Sequence, residues 1–131
     1  MADYVSDKSL SVGYASAAEV AASKQGDCSE HAVLTAALCR AVGIPAQVVT
    51  GLAYVEQWGT VQNGFGGHAW TQVYIGGKWI GIDAAFNGAG LGGYDAGHIT
   101  LAAGSGNPED FLNLVGTMGQ FKIDRVEVKK R

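Results

Sequence analysis

Apolar and polar positions change rhythm several times along the chain, and each rhythm predicts an element. Residues 15–24 (ASAAEVAASK) are Ala-rich and run to Gly26, a short helix with a stop. A second helix follows at once, because Asp27 is a good N-cap and Glu30 stands three residues on, the capping-box spacing. Residues 32–42 are apolar nearly all round, interrupted by Thr35 and Arg40, and Gly43 and Pro45 close the segment. A helix apolar on every side is a central, buried one. Residues 46–55 (AQVVTGLAYV) are β-rich, with Gly51 a candidate bulge. Residues 56–67 hold four glycines and read as a surface loop. The runs 69–75 (AWTQVYI) and 78–83 (KWIGID) flank Gly76-Gly77, a strong two-residue hairpin signal. Residues 87–97 form a second glycine-rich loop, before a strand at 98–103. Asn107-Pro108-Glu109-Asp110 combines a cap, a first-position proline and an acidic first turn, so a helix starts there and continues through 111–115. Residues 120–128 (QFKIDRVEV) alternate, with a phase slip near Asp124 that a bulge absorbs. Residues 1–14 carry no pattern and read as a tail.

The hairpin allows a geometric deduction. With Gly76-Gly77 as the turn, Ile75 faces Lys78, Asp83 faces Trp70 and His68 faces Ala85. Opposite residues share a face, so His68 and Asp83 become diagonal neighbours with Cα atoms about 7–8 Å apart. That separation suits an imidazole donating a ring N–H to a carboxylate, and a one-residue slip would put the two on opposite faces. Val73, Ile75, Ile80 and Ile82 share the other face and are expected to pack into a core. Trp70, Tyr74 and Trp79 share the His68 side and are expected to cover it.

Composition narrows the class. Of 131 residues, 47% are apolar and 16% charged, which excludes a disordered chain. Twenty glycines without a three-residue period exclude collagen, and fifteen of them lie in residues 51–106, around the hairpin. No apolar run approaches the roughly 18–20 residues that span a bilayer. The first ten residues lack a secretory signal pattern. The chain reads as a single soluble domain. Net charge is −3, but residues 122–131 carry five basic and two acidic groups, so the first 121 sum to −6. A basic tip of this kind reads as a solvated strand end, so neither a nucleic-acid nor a membrane partner is expected. Cys28 and Cys39 on one helix stand about 16 Å apart in rise, too far for a bridge, so both thiols are expected to be free.

Cys28 becomes the first residue of the buried helix, at the positive end of its dipole, where a thiolate is favoured. A thiol pKa lowered into the range of roughly 3.5–7.5 is expected, with Cys28 alkylated at pH 6 far faster than Cys39. The roles follow: Cys28 as nucleophile, His68 as general base and later acid, Asp83 as the group orienting His68. The Cys28 amide serves an oxyanion, with Gln25, Tyr54 or Trp58 as candidates for a second donor. His31, one turn from Cys28, is a rival base, but its position along the helix favours a supporting role. Glu30, His31, Trp70 and Gln25 are taken as cleft or supporting residues, His98 as a surface or packing residue at a strand start, and Cys39 as core. A zinc reading of Cys28, His31 and His68 lacks metal-ligand spacing. Gly88-x-Gly90-x-x-Gly93 matches a dinucleotide pattern but has no βαβ context. No EF-hand loop is present. No cofactor or metal is expected.

At these residues the sequence resembles the transglutaminase-like superfamily of papain-like enzymes, in its bacterial branch. The motifs are Gly26-Asp27-Cys28-Ser29-Glu30-His31, Cys39-Arg40-Ala41-Val42-Gly43-Ile44-Pro45-Ala46, His68-Ala69-Trp70 and Trp79-Ile80-Gly81-Ile82-Asp83; His98-Ile99, Ala102-Ala103-Gly104 and Asp110 also fit. The likeness covers about residues 20–110 in order and departs at Ala84-Ala85, where Asp-Pro-Thr is usual. It implies an α+β, papain-like fold, a central helix packed on an antiparallel sheet, with Cys28, His68 and Asp83 at the catalytic positions. It further implies thioester chemistry on a peptide or protein substrate, as a cysteine protease or amidase. The alternatives are a cross-linking transglutaminase or a non-catalytic binding module that keeps the fold. The short stretch before Cys28 leads us to expect the terminal catalytic portion of a longer protein.

Overall fold

Ser16 and Glu19 close a capping box at the start of α1 (Ala17–Ser23), and Lys24 ends it in the left-handed conformation at φ 58°. The computed structural model describes residues 15–88, 90, 93–117, 120, 122, 124, 125 and 127. The tail expected at 1–14 lies outside them. Ala15 and Val20 pack on Leu34 of α2 (Cys28–Ala41), burying one side of α1. The α2 start follows its sequence signal. Asp27 accepts from the Ser29 amide at 3.0 Å, and the Glu30 carboxylate accepts from the Asp27 amide at 3.0 Å. Glu30 is fully buried and also accepts from the Ala15 amide at 3.2 Å, so one side chain caps α2 and anchors the entry to α1.

Four antiparallel strands follow: β1 (Ala46–Trp58), β2 (Val61–Ile75), β3 (Lys78–Ile82) and β4 (His98–Gly104), in the order β3-β2-β1-β4. The β2–β3 register pairs Ile75 with Lys78 and Thr71 with Ile82, as the Gly76-Gly77 turn dictates. Residues 56–67 correct an expectation. They are not a surface loop but the far end of a long hairpin that turns at Gly59-Thr60. The glycines there are paired, Gly64 with Val55, Gly66 with Ala53 and Gly67 with Leu52, so the strand ladder runs through them.

The bulge expected at Gly51 is present: the β1–β4 register shifts between Thr50 and Gly51. A Cβ at Gly51 would lie 2.0 Å from the Ile99 carbonyl oxygen and 2.9 Å from the Trp70 ring, so β4 approaches closely because this residue has no side chain.

α2 lies across β1 and β2. Ala32, Val33 and Ala36 meet Ala46, Val48, Ala69 and Val73, with Cys28 and Cys39 packed at the margin as free thiols. The Thr71 hydroxyl donates to the Ala32 carbonyl at 2.9 Å and ties helix to sheet. Arg40 donates to the carbonyls of Ala46 at 2.9 Å and Ser105 at 3.1 Å. Ile75, Ile80 and Ile82 do not join this core. All three are exposed, because α2 packs over β1 and β2 and β3 lies outboard of it. Tyr74 and Trp79 are exposed too, their rings 5.3 Å apart; of the three aromatics expected to cover the His68 side, Trp70 alone is buried.

α3 (Ala84–Gly88) begins where the strand exit departs from the family pattern. α4 (Pro108–Thr117) starts as expected, with Asp110 accepting from the amides of Gly106 and Asn107. Phe121, Ile123, Val126 and Val128, which set the alternation at 120–128, lie outside the described residues. Lys122, Asp124, Arg125 and Glu127 occupy no strand, and they form two exposed ion pairs, Lys122–Asp124 and Arg125–Glu127. No described helix is long and apolar enough to cross a membrane.

Candidate active site

Asp83 leaves β3 and enters α3, and its carboxylate organises everything around it. Oδ1 accepts from the Phe86 amide at 2.9 Å, capping α3. Oδ2 lies 2.6 Å from His68 Nε2 and 2.9 Å from His98 Nε2. A carboxylate only accepts, so both ring nitrogens donate. The diagonal pair read from the hairpin register is thus a short, buried hydrogen bond.

Aromatic rings enclose it. Phe86 stacks on His68 with centroids 4.2 Å apart, and Trp70 also stacks with His68, at 6.1 Å. Tyr94 lies 4.7 Å from His98 and directly over Gly81, where a Cβ would come within 2.4 Å of its ring. Burial pushes the Asp83 carboxyl up. The hydrogen bonds from His68 and His98 together outweigh that and hold it well below the usual carboxylate range.

Cys28 stands at the first position of α2, partly buried. Cys28 packs against the core cluster that contains Ala69, which brings the thiol beside the residue that follows His68. The expected lowered thiol pKa is corrected here. Burial, and then the charge of Asp27, push Cys28 up to about 12, with Glu30 and Asp83 adding to the effect and the Ala69 amide opposing it. The helix start does favour an anion, but three carboxylates and desolvation act against it.

The other expected residues sort by their contacts. The His31 ring donates from Nδ1 to the Asp27 carbonyl at 2.7 Å and is buried against its own helix; its Nε2 has no partner among the described residues. Glu30 is the cap and anchor of the helix start. Trp70 is a buried wall beside His68. Gln25 is exposed, three residues before Cys28. Tyr54 and Trp58 are not placed to serve as donors. The Tyr54 hydroxyl donates to Asn63 at 3.2 Å, and Trp58 lies seven strand residues beyond Gly51, the partner of His68, or about 23 Å along β1.

His98 is the residue the sequence reading missed. It is not a surface or simple packing residue: its side chain is 1% exposed and bonded to Asp83. Its other nitrogen, Nδ1, lies 3.0 Å from Asp95 Oδ1. Burial lowers its pKa, but Asp83 and then Asp95 raise it by more, so it stays protonated to higher pH than an ordinary histidine. Two signals were available, its place at a strand start after an aspartate and the fit of His98-Ile99 to the family pattern, but neither pointed to Asp83; the β1–β4 pairing that brings it there has no local mark.

The donor atoms of His68, Asp83 and His98 lie within 4.8 Å of one another, a spacing that a divalent cation could bridge. Both ring N–H groups already donate to the carboxylate, which accounts for the short contacts, and we assign hydrogen bonding rather than metal binding to them. Cys28, His31 and His68 form no such cluster among the described residues.

A helix-start thiol beside a His–carboxylate pair, on an α-helix laid across an antiparallel sheet, defines a papain-like α+β domain. Residues 2–84, which include Cys28, His68 and Asp83, match the core model of the transglutaminase-like superfamily, and the chain belongs to that superfamily. It is also similar to the crystal structure of a candidate cysteine protease from Cytophaga hutchinsonii, with 32% identity and a TM-score of 0.61. The match covers 83% of this chain and 34% of the other, so the chain spans about a third of that protein's length. No curated protein matches the chain.

Proposed function

We propose that the chain hydrolyses an amide or peptide carbonyl through a thioester, with Cys28 as nucleophile, His68 as base and Asp83 as orienting carboxylate. The observation that carries this reading is the 2.6 Å contact from His68 Nε2 to Asp83. With Nε2 engaged, Nδ1 is the nitrogen left to accept a proton, and packing against the cluster that contains Ala69 keeps Cys28 close to the same strand segment. Similarity to the candidate cysteine protease favours hydrolysis over amine transfer.

The reaction starts from a neutral thiol. His68 Nδ1 takes the Sγ proton as Sγ bonds to the carbonyl carbon, so thiolate and imidazolium form during attack rather than standing beforehand. Asp27 takes the amides of Ser29 and Glu30, which leaves the Cys28 amide for the oxyanion, with Gln25 as candidate second donor. His68 then gives its proton to the departing amine, and the thioester remains. Water, deprotonated by His68, adds to the thioester; collapse expels the thiol and releases a carboxylic acid.

The test is hydrolysis and amine transfer profiled on one peptide library, with Cys28→Ala as the blank. Cleavage lost in Cys28→Ala is the expected result. Transfer to a lysine amine without hydrolysis would reassign the chain as a cross-linking enzyme. Equal behaviour of both proteins, with no thioester trapped by an electrophilic amide probe, would make it a binding module.

A further inference from the structure

One carboxylate oxygen, Asp83 Oδ2, serves two imidazoles, and the proposed reaction uses only one of them. His98 approaches from β4, a strand far from β3 in the sheet order, and reaches the oxygen at 2.9 Å against 2.6 Å for His68. Its other nitrogen lies 3.0 Å from the Asp95 carboxylate and 3.2 Å from the Asp95 carbonyl. Acceptors at both nitrogens suit an imidazolium. The Asp95 amide lies 3.3 Å from the same Nδ1 and can donate to it once that proton leaves. His98 therefore keeps its grip on Asp83 in both protonation states, and what changes between them is charge.

We propose that His98 is a positioning residue for the Cys28–His68 pair: it shares Asp83 Oδ2 with His68, fixes the carboxylate, and while protonated offsets part of the charge that His68 feels. This rests on the reading of Cys28, His68 and Asp83 as the reacting groups. Few other charges intervene. Against His98 lie Asp83 and His68 from the β2–β3 side, Asp95 and Tyr94 from the loop before β4, Phe86 from α3, and Ala53 opposite on β1. Among the described residues packed against it, only Asp83 and Asp95 are carboxylates, and His68 is the one other imidazole. The two imidazole centroids are 5.8 Å apart, close enough for one ring's charge to depress proton binding at the other. His98 thereby tunes the base without touching substrate.

The experiment is the titration of both rings by nitrogen-detected NMR in the whole chain, a readout that needs no substrate. In the native protein, the His68 signals are expected to record two steps, its own and that of His98. In His98→Gln, whose amide can still donate to Oδ2 but carries no charge, the second step disappears and the remaining His68 step moves to higher pH. In Asp95→Asn, a change at an exposed side chain, the His98 midpoint falls. A His68 titration with a single step in the native protein, or one unmoved in folded His98→Gln, overturns the proposal. If His98→Gln does not fold, the native two-step titration decides. Loss of cleavage in Cys28→Ala tests the triad instead, so failure of either reading is seen separately.

Discussion

Cys28 shows two opposed effects at a single residue. Its place at a helix start draws negative charge toward the sulfur, while burial and the carboxylates of Asp27, Glu30 and Asp83 repel it. Only the first effect can be read locally from Asp27-Cys28 and the capping pattern. The second depends chiefly on burial, which is set by how α2 lies on the sheet, and in smaller part on Asp83, 55 residues away in sequence. With the thiol pushed up to about 12, iodoacetamide should label Cys28 no faster than Cys39 at pH 6. The rate should then climb about tenfold per pH unit through the neutral and alkaline range, as the thiolate fraction does. Rates by mass spectrometry across pH 5–10 check this, and a plateau already reached at pH 6 would mean a standing thiolate–imidazolium pair. His68 and Asp83 were legible because Gly76-Gly77 fixes the register by itself. His98 was not, since its partner lies across a pairing without local signature.

At the scale of elements, what the sequence marked were caps and turns: Asp27 and Glu30 at α2, Gly76-Gly77 between β2 and β3, and Asn107-Pro108 at α4. Extents and outer faces were less legible. The β1–β2 ladder runs on through Gly64, Gly66 and Gly67, and Ile80 and Ile82 stay exposed because burial depends on where α2 is laid. Gly51→Ala should cost about 2 kcal/mol or more, because its Cβ would press on the Ile99 carbonyl and the Trp70 ring. Gly66→Ala, on the neighbouring strand with nothing within 4 Å of the added carbon, should stay within about 0.5 kcal/mol. Urea unfolding of the two variants compares them directly, and equal losses would mean that the close approach of β4 is not what requires Gly51. Glu30→Ala should cost about 2–3 kcal/mol, since it removes a cap and strands the buried Ala15 amide, while Glu30→Gln, which keeps an acceptor, should cost less. Similar losses in both variants would point to the charge rather than to the acceptor.

The whole molecule's stability should carry the imprint of the same site at both ends of the pH scale. Asp83 is held below its ordinary carboxylate value of 3.8, so its contribution is complete above that value and is lost as pH falls toward the depressed one. Cys28 is raised from 9.0 to about 12, so the folded state holds a proton that the unfolded chain releases, and stability falls as pH rises past 9. By pH 10 that loss is about 1 kcal/mol. His98 is raised as well; its contribution is complete below an ordinary histidine value of 6.5 and is lost as pH rises through the raised one. These signs define a stability maximum with separable flanks. Asp83→Asn should flatten the acid flank and leave the alkaline one, and Cys28→Ser should do the reverse. Because His98 bonds to Asp83, Asp83→Asn should also remove most of the decline near neutrality, whereas Cys28→Ser should leave it in place. Urea midpoints from pH 3 to 10.5 for the three proteins make the comparison. Flanks that remain parallel in all three would mean that the site's charges do not govern how this fold responds to pH.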